Sequence, residues 1–423
     1  MIRKDEFVVV YNEEVGAVWY PEYGELKKTT SEHAKAIKEC LEKGFKHELS
    51  AEEEKKFEDY MRKSFAEGEK LKLRKCQNLL ERKTLSRLEI MIANDCNLNC
   101  RYCYANAGTY GKKTQRMSPE KACEYLDSLL EGHYDKVGRV SFFGGEPTLC
   151  PETIEAICEY FIQAVDSGKI KEMPVFAMVS NATLIDKRMA EIIHRYKIIV
   201  TVSVDGPKEI NDLLRVDKAG RGVFDRIEEG IHQIEYAGSK VSLLEVTYTA
   251  QHQKLGYSKK DIKKYLEQHF EVKGVAIANC EKTEREKELF YKDLNEEEYV
   301  NIDVERKIKN HVYRKEFCDI VCDSGYGSVA MMPNGELYPC HFFVEYPEYC
   351  IAVYREGDFD FSNYENVAKK LDEAYHTKNK KCKECWTKYT CPVCAAYILL
   401  NKEKECEKIR KQQERVVLKC AGE

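Results

Sequence analysis

Cys96, Cys100 and Cys103 fall within eight residues of a 423-residue chain that carries 19 cysteines. Thiolates this close can each take one iron of a 4Fe–4S cube and leave the fourth iron without a protein ligand, an open position where chemistry can occur. Zinc held by the same three sulfurs and a distant fourth ligand is the alternative. A second group is Cys318, Cys322 and Cys340, and a third is Cys382, Cys385, Cys391, Cys394 and Cys406. The pairs Cys382-x2-Cys385 and Cys391-x2-Cys394 would suit zinc, but the five-residue gap between them is much tighter than a zinc ribbon uses. Cys40, Cys76, Cys123, Cys150, Cys158, Cys280, Cys350 and Cys420 are scattered and read as buried small hydrophobes. With no export signal in the chain, so many cysteines point to metal ligation or redox chemistry in a reducing cytoplasm before disulfides.

Such loops need elements to hold them. From 86 to 280, six β-rich apolar runs alternate with helical stretches: LEIMIAND, RVSFFGGE, VFAMVSNA, IIVTVSVDG, VSLLEVTYT and VAIANC. Ser118-Pro119-Glu120 reads as an N-cap with proline at the first helical position, and PETIEAICEYFIQAV as a second helix. Six βα repeats predict an α/β fold with a parallel sheet, either doubly wound or curved into a partial (β/α)6 TIM-like barrel. Either form presents its functional groups just beyond the C-terminal strand ends. Cys96 to Cys103 follow the first strand directly, Gly144-Gly145-Glu146-Pro147 end the second, Ser180-Asn181-Ala182-Thr183 the third and Ser203-Val204-Asp205-Gly206 the fourth.

Residues 1–85 read as a small α+β (winged-helix-like) module. FVVVYN, AVWYP and LKKTT are short antiparallel strands, followed by a helix over SEHAKAIKECLEKG and a second that starts at the capping box Ser50 to Glu53. Residues 281–317 read as a charged connector helix region. Residues 318–423 are irregular, aromatic and cysteine-rich, and are expected to need metal to fold. The balance of 68 basic against 73 acidic residues argues against bulk nucleic-acid binding. No apolar run reaches the roughly 18 residues of a membrane span, so the expectation is a cytoplasmic protein without membrane or nucleic-acid partners.

The C-x3-C-x2-C spacing with Tyr102 before the last cysteine resembles the signature of radical S-adenosylmethionine (SAM) enzymes, and the other strand ends resemble that family's segments in register. The resemblance covers about 90 to 250. It implies a 4Fe–4S cluster on Cys96, Cys100 and Cys103. It also implies SAM held by Tyr102 near the adenine, Gly144, Gly145, Glu146 and Pro147 near the methionine amine, Asn181 near the ribose, Ser203 and Asp205 beside the cofactor, and Arg215 toward the methionine carboxylate. An open iron can chelate the methionine amine and carboxylate and so place the sulfonium for one-electron reduction.

The C-terminal spacing, Cys322, Gly335-x4-Cys340, then Cys382 to Cys406, is similar to the SPASM domain of peptide-modifying radical SAM enzymes, which implies two auxiliary 4Fe–4S clusters. By analogy one takes Cys318, Cys322, Cys340 and Cys394, and the other Cys382, Cys385, Cys391 and Cys406. The usual C-x5-C-x3-C is one residue short here, and Cys350 or Cys420 could replace a member. Sulfatase-maturing relatives carry an Asp where this chain has His341, which weakens a formylglycine-forming reading.

The first 85 residues resemble the element that recognises a precursor-peptide leader. The combination implies a maturase of the sactipeptide and ranthipeptide class, supplied with electrons by a flavodoxin or ferredoxin. Such an enzyme uses a 5′-deoxyadenosyl radical to take hydrogen from a peptide carbon, to which a cysteine sulfur is then joined. Carbon–carbon or carbon–oxygen crosslinking, epimerisation and formylglycine formation are the catalytic alternatives, and a non-catalytic zinc or iron–sulfur protein is the third.

Overall fold

Mostly apolar strands that alternate with helical stretches suit a parallel sheet covered by helices. The computed structural model describes residues 7–43, 77–131, 133–280, 287–290, 302–314, 322–400 and 406–423. It divides into two units, one of residues 77–294 and 323–368, the other of 1–76, 295–322 and 369–423. This division departs from the consecutive domains expected from sequence, because elements distant in the chain complete each other's cores.

The second unit opens with the N-terminal strands β1 (Val8–Tyr11), β2 (Gly16–Tyr20) and β3 (Glu25–Thr29), an antiparallel sheet in the order β1-β2-β3, followed by helix α1 (Ser31–Lys43). All five residues of β2 are buried. Val9, Val18 and Tyr20 face Ala34 and Ile37 of α1. Val10, Ala17 and Trp19, on the opposite face, pack against Val304, Ile308, Val416 and Val417. The N-terminal sheet therefore does not close a core alone. Its second face is covered by helices from the far end of the chain, and burying a side chain such as Trp19 contributes roughly 2–3 kcal/mol. The capping box at Ser50 and its helix lie outside the described residues, as does most of the connector stretch.

The first unit begins with a two-residue parallel pair, β4 (Thr84–Leu85) with β6 (Lys136–Val137). Its main sheet holds β5 (Arg87–Ala93), β7 (Arg139–Gly144), β8 (Val175–Ser180), β9 (Ile199–Ser203), β10 (Val241–Tyr248) and β11 (Val275–Asn279), all parallel and adjacent in sequence order. These are the six runs read from sequence. Helices α2 (Pro119–Leu130), α3 (Pro151–Asp166), α4 (Lys187–Arg195), α5 (Lys208–Leu214), α6 (Phe224–Tyr236), α7 (Ala250–Lys254) and α8 (Lys259–His269) connect them. Ser118 caps α2 by accepting from the Lys121 amide, with Pro119 at the start, as its sequence indicates.

The sheet does not stop at six strands. β12 (Ser328–Met331) pairs in parallel with β5, and β13 (Glu336–Tyr338), β14 (Ala352–Arg355) and β15 (Asp358–Asp360) continue antiparallel to a tenth strand. Part of the region assigned to an irregular C-terminal domain thus extends the main sheet. The remaining helices are α9 (Ile302–Lys309), α10 (Tyr364–Glu373), α11 (Ala395–Leu399) and α12 (Cys406–Gly422). Among the described residues no helix is long and apolar enough to cross a membrane.

Candidate metal and cofactor site

The cysteine loop leaves β5 at Ala93 and is tied down on two sides by backbone. On one side Gly145 donates to the Ala93 carbonyl at 2.8 Å and Glu146 to the Asp95 carbonyl at 2.9 Å. Only glycine permits this crossing: a Cβ on Gly144, which sits at φ +131°, would lie 2.2 Å from the Ala93 oxygen, and one on Gly145 2.1 Å from the Asp95 oxygen. On the other side Asn99 donates to Val216 at 2.7 Å and Arg101 to Leu214 at 2.9 Å. Those two bonds straddle Cys100 on one strand of backbone and Arg215 on the other.

Cys96, Cys100 and Cys103 are free and partly exposed. Cys96 Sγ accepts from the Leu98 amide at 3.4 Å and from Asn181 Nδ2 at 3.8 Å, and Cys100 Sγ lies 3.9 Å from Arg215 Nη1. Burial pushes the Cys100 thiol up to about 11 against the opposing pull of Arg215. Burial, and then the charge of Glu146, also raises Cys96. Metal binding has to displace these protons, as it does at thiolate sites generally.

Glu146 is 1 % exposed. Its Oε1 accepts from the Thr148 amide at 3.1 Å, the Thr148 hydroxyl at 2.6 Å and the Ser180 hydroxyl at 2.8 Å, and Oε2 accepts from the Asn181 amide at 2.8 Å. Sequence reading gave this carboxylate to an ammonium ligand. In the structure it already holds four protein donors and ties the end of β7 to the end of β8. Burial raises its pKa, against the hydrogen bonds from Asn181, Thr148 and Ser180. Asn181 is fixed in turn, with Nδ2 on Asn97 Oδ1 at 3.0 Å and Oδ1 accepting from Thr183. Pro147 starts the turn beneath, and Ser203 ends β9.

Asp205, just past β9, is fully buried. Tyr102 donates its hydroxyl to Oδ2 at 2.6 Å, and the Thr247 amide donates to Oδ1 at 3.0 Å. Arg215 Nε stands 3.2 Å from Oδ2 as an ion pair, yet this N–H finds no hydrogen-bond acceptor. The Arg215 guanidinium also lies over the Tyr102 ring, 5.8 Å from its centre. Tyr102, expected beside an adenine, thus has its hydroxyl on Asp205 and its ring by Arg215.

Sequence reading passed over Glu89, a buried carboxylate in the apolar strand β5 whose Oε1 lies 2.9 Å from His341 Nδ1. The signal was present, since a lone acid in a strand otherwise apolar is seldom buried without a partner. His341 follows Cys340, which is buried in the same unit.

The other cysteines divide as follows. Cys382, Cys385, Cys391, Cys394 and Cys406 belong to the unit containing the N-terminal sheet, as does the exposed Cys322, whereas Cys340 belongs to the unit with the parallel sheet. Cys318 and Cys76 lie outside the described residues. Cys150, Cys158, Cys280 and Cys420 are buried as expected of small hydrophobes, while Cys123 and Cys350 are half-buried.

Among the described residues no three His, Cys, Asp or Glu side chains converge on a single ion. A four-iron cube does not require it, because each thiolate binds a different iron. Three thiols on one braced loop, a cation beside one sulfur, amide donors beside another and a buried guanidinium N–H without an acceptor fit a cluster with an open iron next to an anionic ligand.

Comparison with known proteins agrees. Residues 90–251 match the family described as the Radical SAM superfamily. The chain is 38 % identical over 137 residues to an uncharacterised protein of Methanocaldococcus jannaschii, covering 32 % of this chain and 44 % of that one. It is 24 % identical over 308 residues to the radical SAM cyclopropyl synthase TigE of Paramaledivibacter caminithermalis, covering 66 % and 61 %. It is 25 % identical over 351 residues to a cysteine-type anaerobic sulfatase-maturating enzyme of Clostridium novyi, covering 76 % and 89 %. The chain thus spans less than two thirds of the first two relatives. In fold it resembles native anSMEcpe with bound AdoMet, at a TM-score of 0.56 and 19 % identity, over 79 % of this chain and 99 % of that one. Residues 90–251 are a radical SAM domain, homologous to those of the sulfatase-maturating enzymes and of TigE.

Proposed function

We propose that this protein is a radical SAM enzyme that modifies a ribosomally made, leader-bearing peptide, joining a cysteine sulfur to a carbon of another residue. The observation that carries the radical SAM reading is the Cys96–Cys103 loop, knitted to the ends of β7 and β8 and to the segment before Val216. Cys96, Cys100 and Cys103 would hold the cluster, and Asn181, Asp205 and Arg215 surround the place of the cofactor. Once bound, a 4Fe–4S cluster and SAM supply reductive cleavage to a carbon radical that can take a hydrogen atom. The chain's own contribution is position: backbone bonds fix the loop, Glu146 fixes Asn181, and Asp205 fixes Tyr102.

A peptide substrate is supported by the named relatives, one of which matures sulfatases. It is also supported by the N-terminal sheet, whose outer strands β1 and β3 have no further strand beside them among the described residues, so an extended leader can add as one more strand. The cysteines from Cys318 to Cys406 are the proposed auxiliary-cluster ligands, and a flavodoxin or ferredoxin the proposed electron donor. A second outcome, another oxidative change on a peptide or protein side chain, is favoured by the relatives' own names, a cyclopropyl synthase and sulfatase maturases.

Anaerobic reconstitution followed by SAM and dithionite tests the reading. The expected result is an iron-rich brown protein that releases 5′-deoxyadenosine, and a colourless, zinc-loaded preparation overturns it. With a cysteine-rich peptide encoded beside the gene, loss of two hydrogens together with loss of thiol alkylation marks a thioether. Retention of every thiol rejects it.

A further inference from the structure

We infer that Glu245 is a catalytic residue of this site, its carboxylate taking the proton that a peptide cysteine gives up when its sulfur is joined to carbon. The inference rests on the thioether reading and supplies it with a base.

Glu245 lies in β10, on the face of the sheet that carries Phe143 and Glu89. Cross-strand partners in a parallel sheet point the same way, and successive residues alternate. The register runs from Leu243 to Thr201 to Val179, and two residues on Glu245 stands beside Ser203. Val179 falls on the face of Phe143, and Glu89 pairs with Ser141 on that same face. The Glu245 carbonyl accepts from the Val204 amide at 3.0 Å, and the Thr247 amide donates to Asp205 Oδ1 at 3.0 Å. Those bonds set Glu245 against the end of β9, where Ser203 and Asp205 stand. Charges of Arg215, His341 and Asp205 act on it, and its own charge acts on Tyr104, the residue after Cys103.

The neighbouring charges already have partners. Arg215 pairs with Asp205, and His341 with Glu89. Glu245 is the acid left over: its carboxylate takes part in no hydrogen bond or ion pair among the described residues, and the residue is exposed while Leu244 and Val246 are buried. Both oxygens are therefore free to meet a substrate. Water reaches the carboxylate, yet protein walls it. That partial burial, ahead of the opposing charges of Arg215 and His341, raises its pKa and makes it a stronger proton acceptor than an ordinary glutamate.

In the step assigned to it, a hydrogen atom leaves the peptide carbon for the 5′-deoxyadenosyl radical, the thiol S–H breaks and its proton passes to Glu245. The sulfur's electron pair and the carbon's unpaired electron make the new bond with one electron over, which an oxidised iron–sulfur cluster accepts.

The test measures thioether formed per 5′-deoxyadenosine released, as a function of pH, with the reconstituted full chain and the cysteine-rich peptide encoded beside the gene. In wild type this ratio should fall in acid through a limb centred above the ordinary 4.5 of a glutamate. In Glu245→Gln the ratio should be about a hundredfold lower and the limb absent. In Glu245→Ala, added formate should restore the thioether in proportion to its concentration. A wild-type ratio and acid limb in Glu245→Gln overturn the inference. Should Glu245→Gln fail to load iron, Glu245→Ala decides, and a loss that formate does not repair overturns the inference. Wild-type protein that releases 5′-deoxyadenosine yet leaves every peptide thiol open to alkylation defeats the thioether reading, and the inference with it.

Discussion

The cysteine loop at 96–103 and the cysteine run at 382–394 are both dense in thiols and are supported differently. The first leaves a parallel strand, and its neighbours are fixed by backbone bonds and by the buried carboxylates of Glu146 and Asp205. The second contains no strand. Its amides fold back on nearby carbonyls, Cys382 on Asn379, Cys385 on Cys382, Lys388 on Cys385 and Cys391 on Thr387. Outside support comes from Trp386, which packs against the cluster that holds Trp19, Val304 and Val416, from the buried Thr390 hydroxyl on Gln413 Oε1, and from Lys307 on the Cys391 carbonyl and Tyr389 on Glu22, each at 3.3 Å. The lesson is one of order. A sheet can build a metal site before the metal arrives, whereas a chain of local turns pinned at a few side chains gains further restraint when metal cross-links it.

The largest effect expected from breaking this contrast is loss of chemistry without loss of fold. Replacing Cys96, Cys100 and Cys103 together with alanine should abolish 5′-deoxyadenosine formation and remove about four irons per chain. Protection of the β5 to β10 amides from hydrogen exchange should stay as in the metal-free wild type. Persistent SAM cleavage would refute the site. Global loss of protection would refute the claim that the sheet stands without the cluster.

Metal removal should separate the regions next. After chelation, limited proteolysis is expected to cut first within residues 377–394 and only later within 87–248. Early cleavage in the parallel sheet would reverse the comparison.

A smaller and more local effect follows from Glu146. In Glu146→Ala the Asn181 amide, the Ser180 hydroxyl and both Thr148 donors lose their acceptor, a cost of about 3 kcal/mol. Hydrogen exchange at Ser180 to Thr183 should accelerate, with no change at 382–394. Equal acceleration in both places would mean that the two regions share one cooperative unit of stability.

How much of this was legible in sequence follows the same line. The six parallel strands were, because their runs are mostly apolar and three of them end in Gly-Gly, Ser-Asn or Asp-Gly. The placement of Cys96, Cys100 and Cys103 followed from the strand before them. The extension of the sheet by β12 to β15 was not, since strands of three or four residues carry too little period to be separated from turns. Nor was the packing of Trp19 on Val416 and Val417, a contact between residues almost a chain length apart. A partial clue lay in β2, where GAVWY has no polar face to leave in water. Side-chain pairing was the least legible: Tyr102, Glu146 and Arg215 could be placed at the site, but their partners Asp205, Ser180 and Cys100 are set by crossings of backbone that spacing does not encode.

The smallest effect expected is one of pH, and it also divides the two regions. Asp217 closes the segment that holds Asn99 and Arg101. Its carboxylate accepts from the amides of Arg221 and Ala219, and it pairs with the Arg221 and Arg226 side chains. The Arg221 amide, foremost, holds its pKa down to about 2 from an ordinary 3.8. A depressed carboxyl stabilises the fold only when ionised, so its contribution is complete above the ordinary value and is lost as pH falls through the depressed one. Metal-free protein should therefore lose protection at Asn99 and Arg101 as acid approaches that range, and Asp217→Asn should show the weaker protection already at neutral pH with no further acid step. The cysteine run offers no counterpart: burial pushes the Cys391 thiol up to about 11, so it is already protonated throughout the acid range. An acid step at 382–394 that follows the one at Asn99 and disappears in Asp217→Asn would show that the loop and the run are coupled without metal.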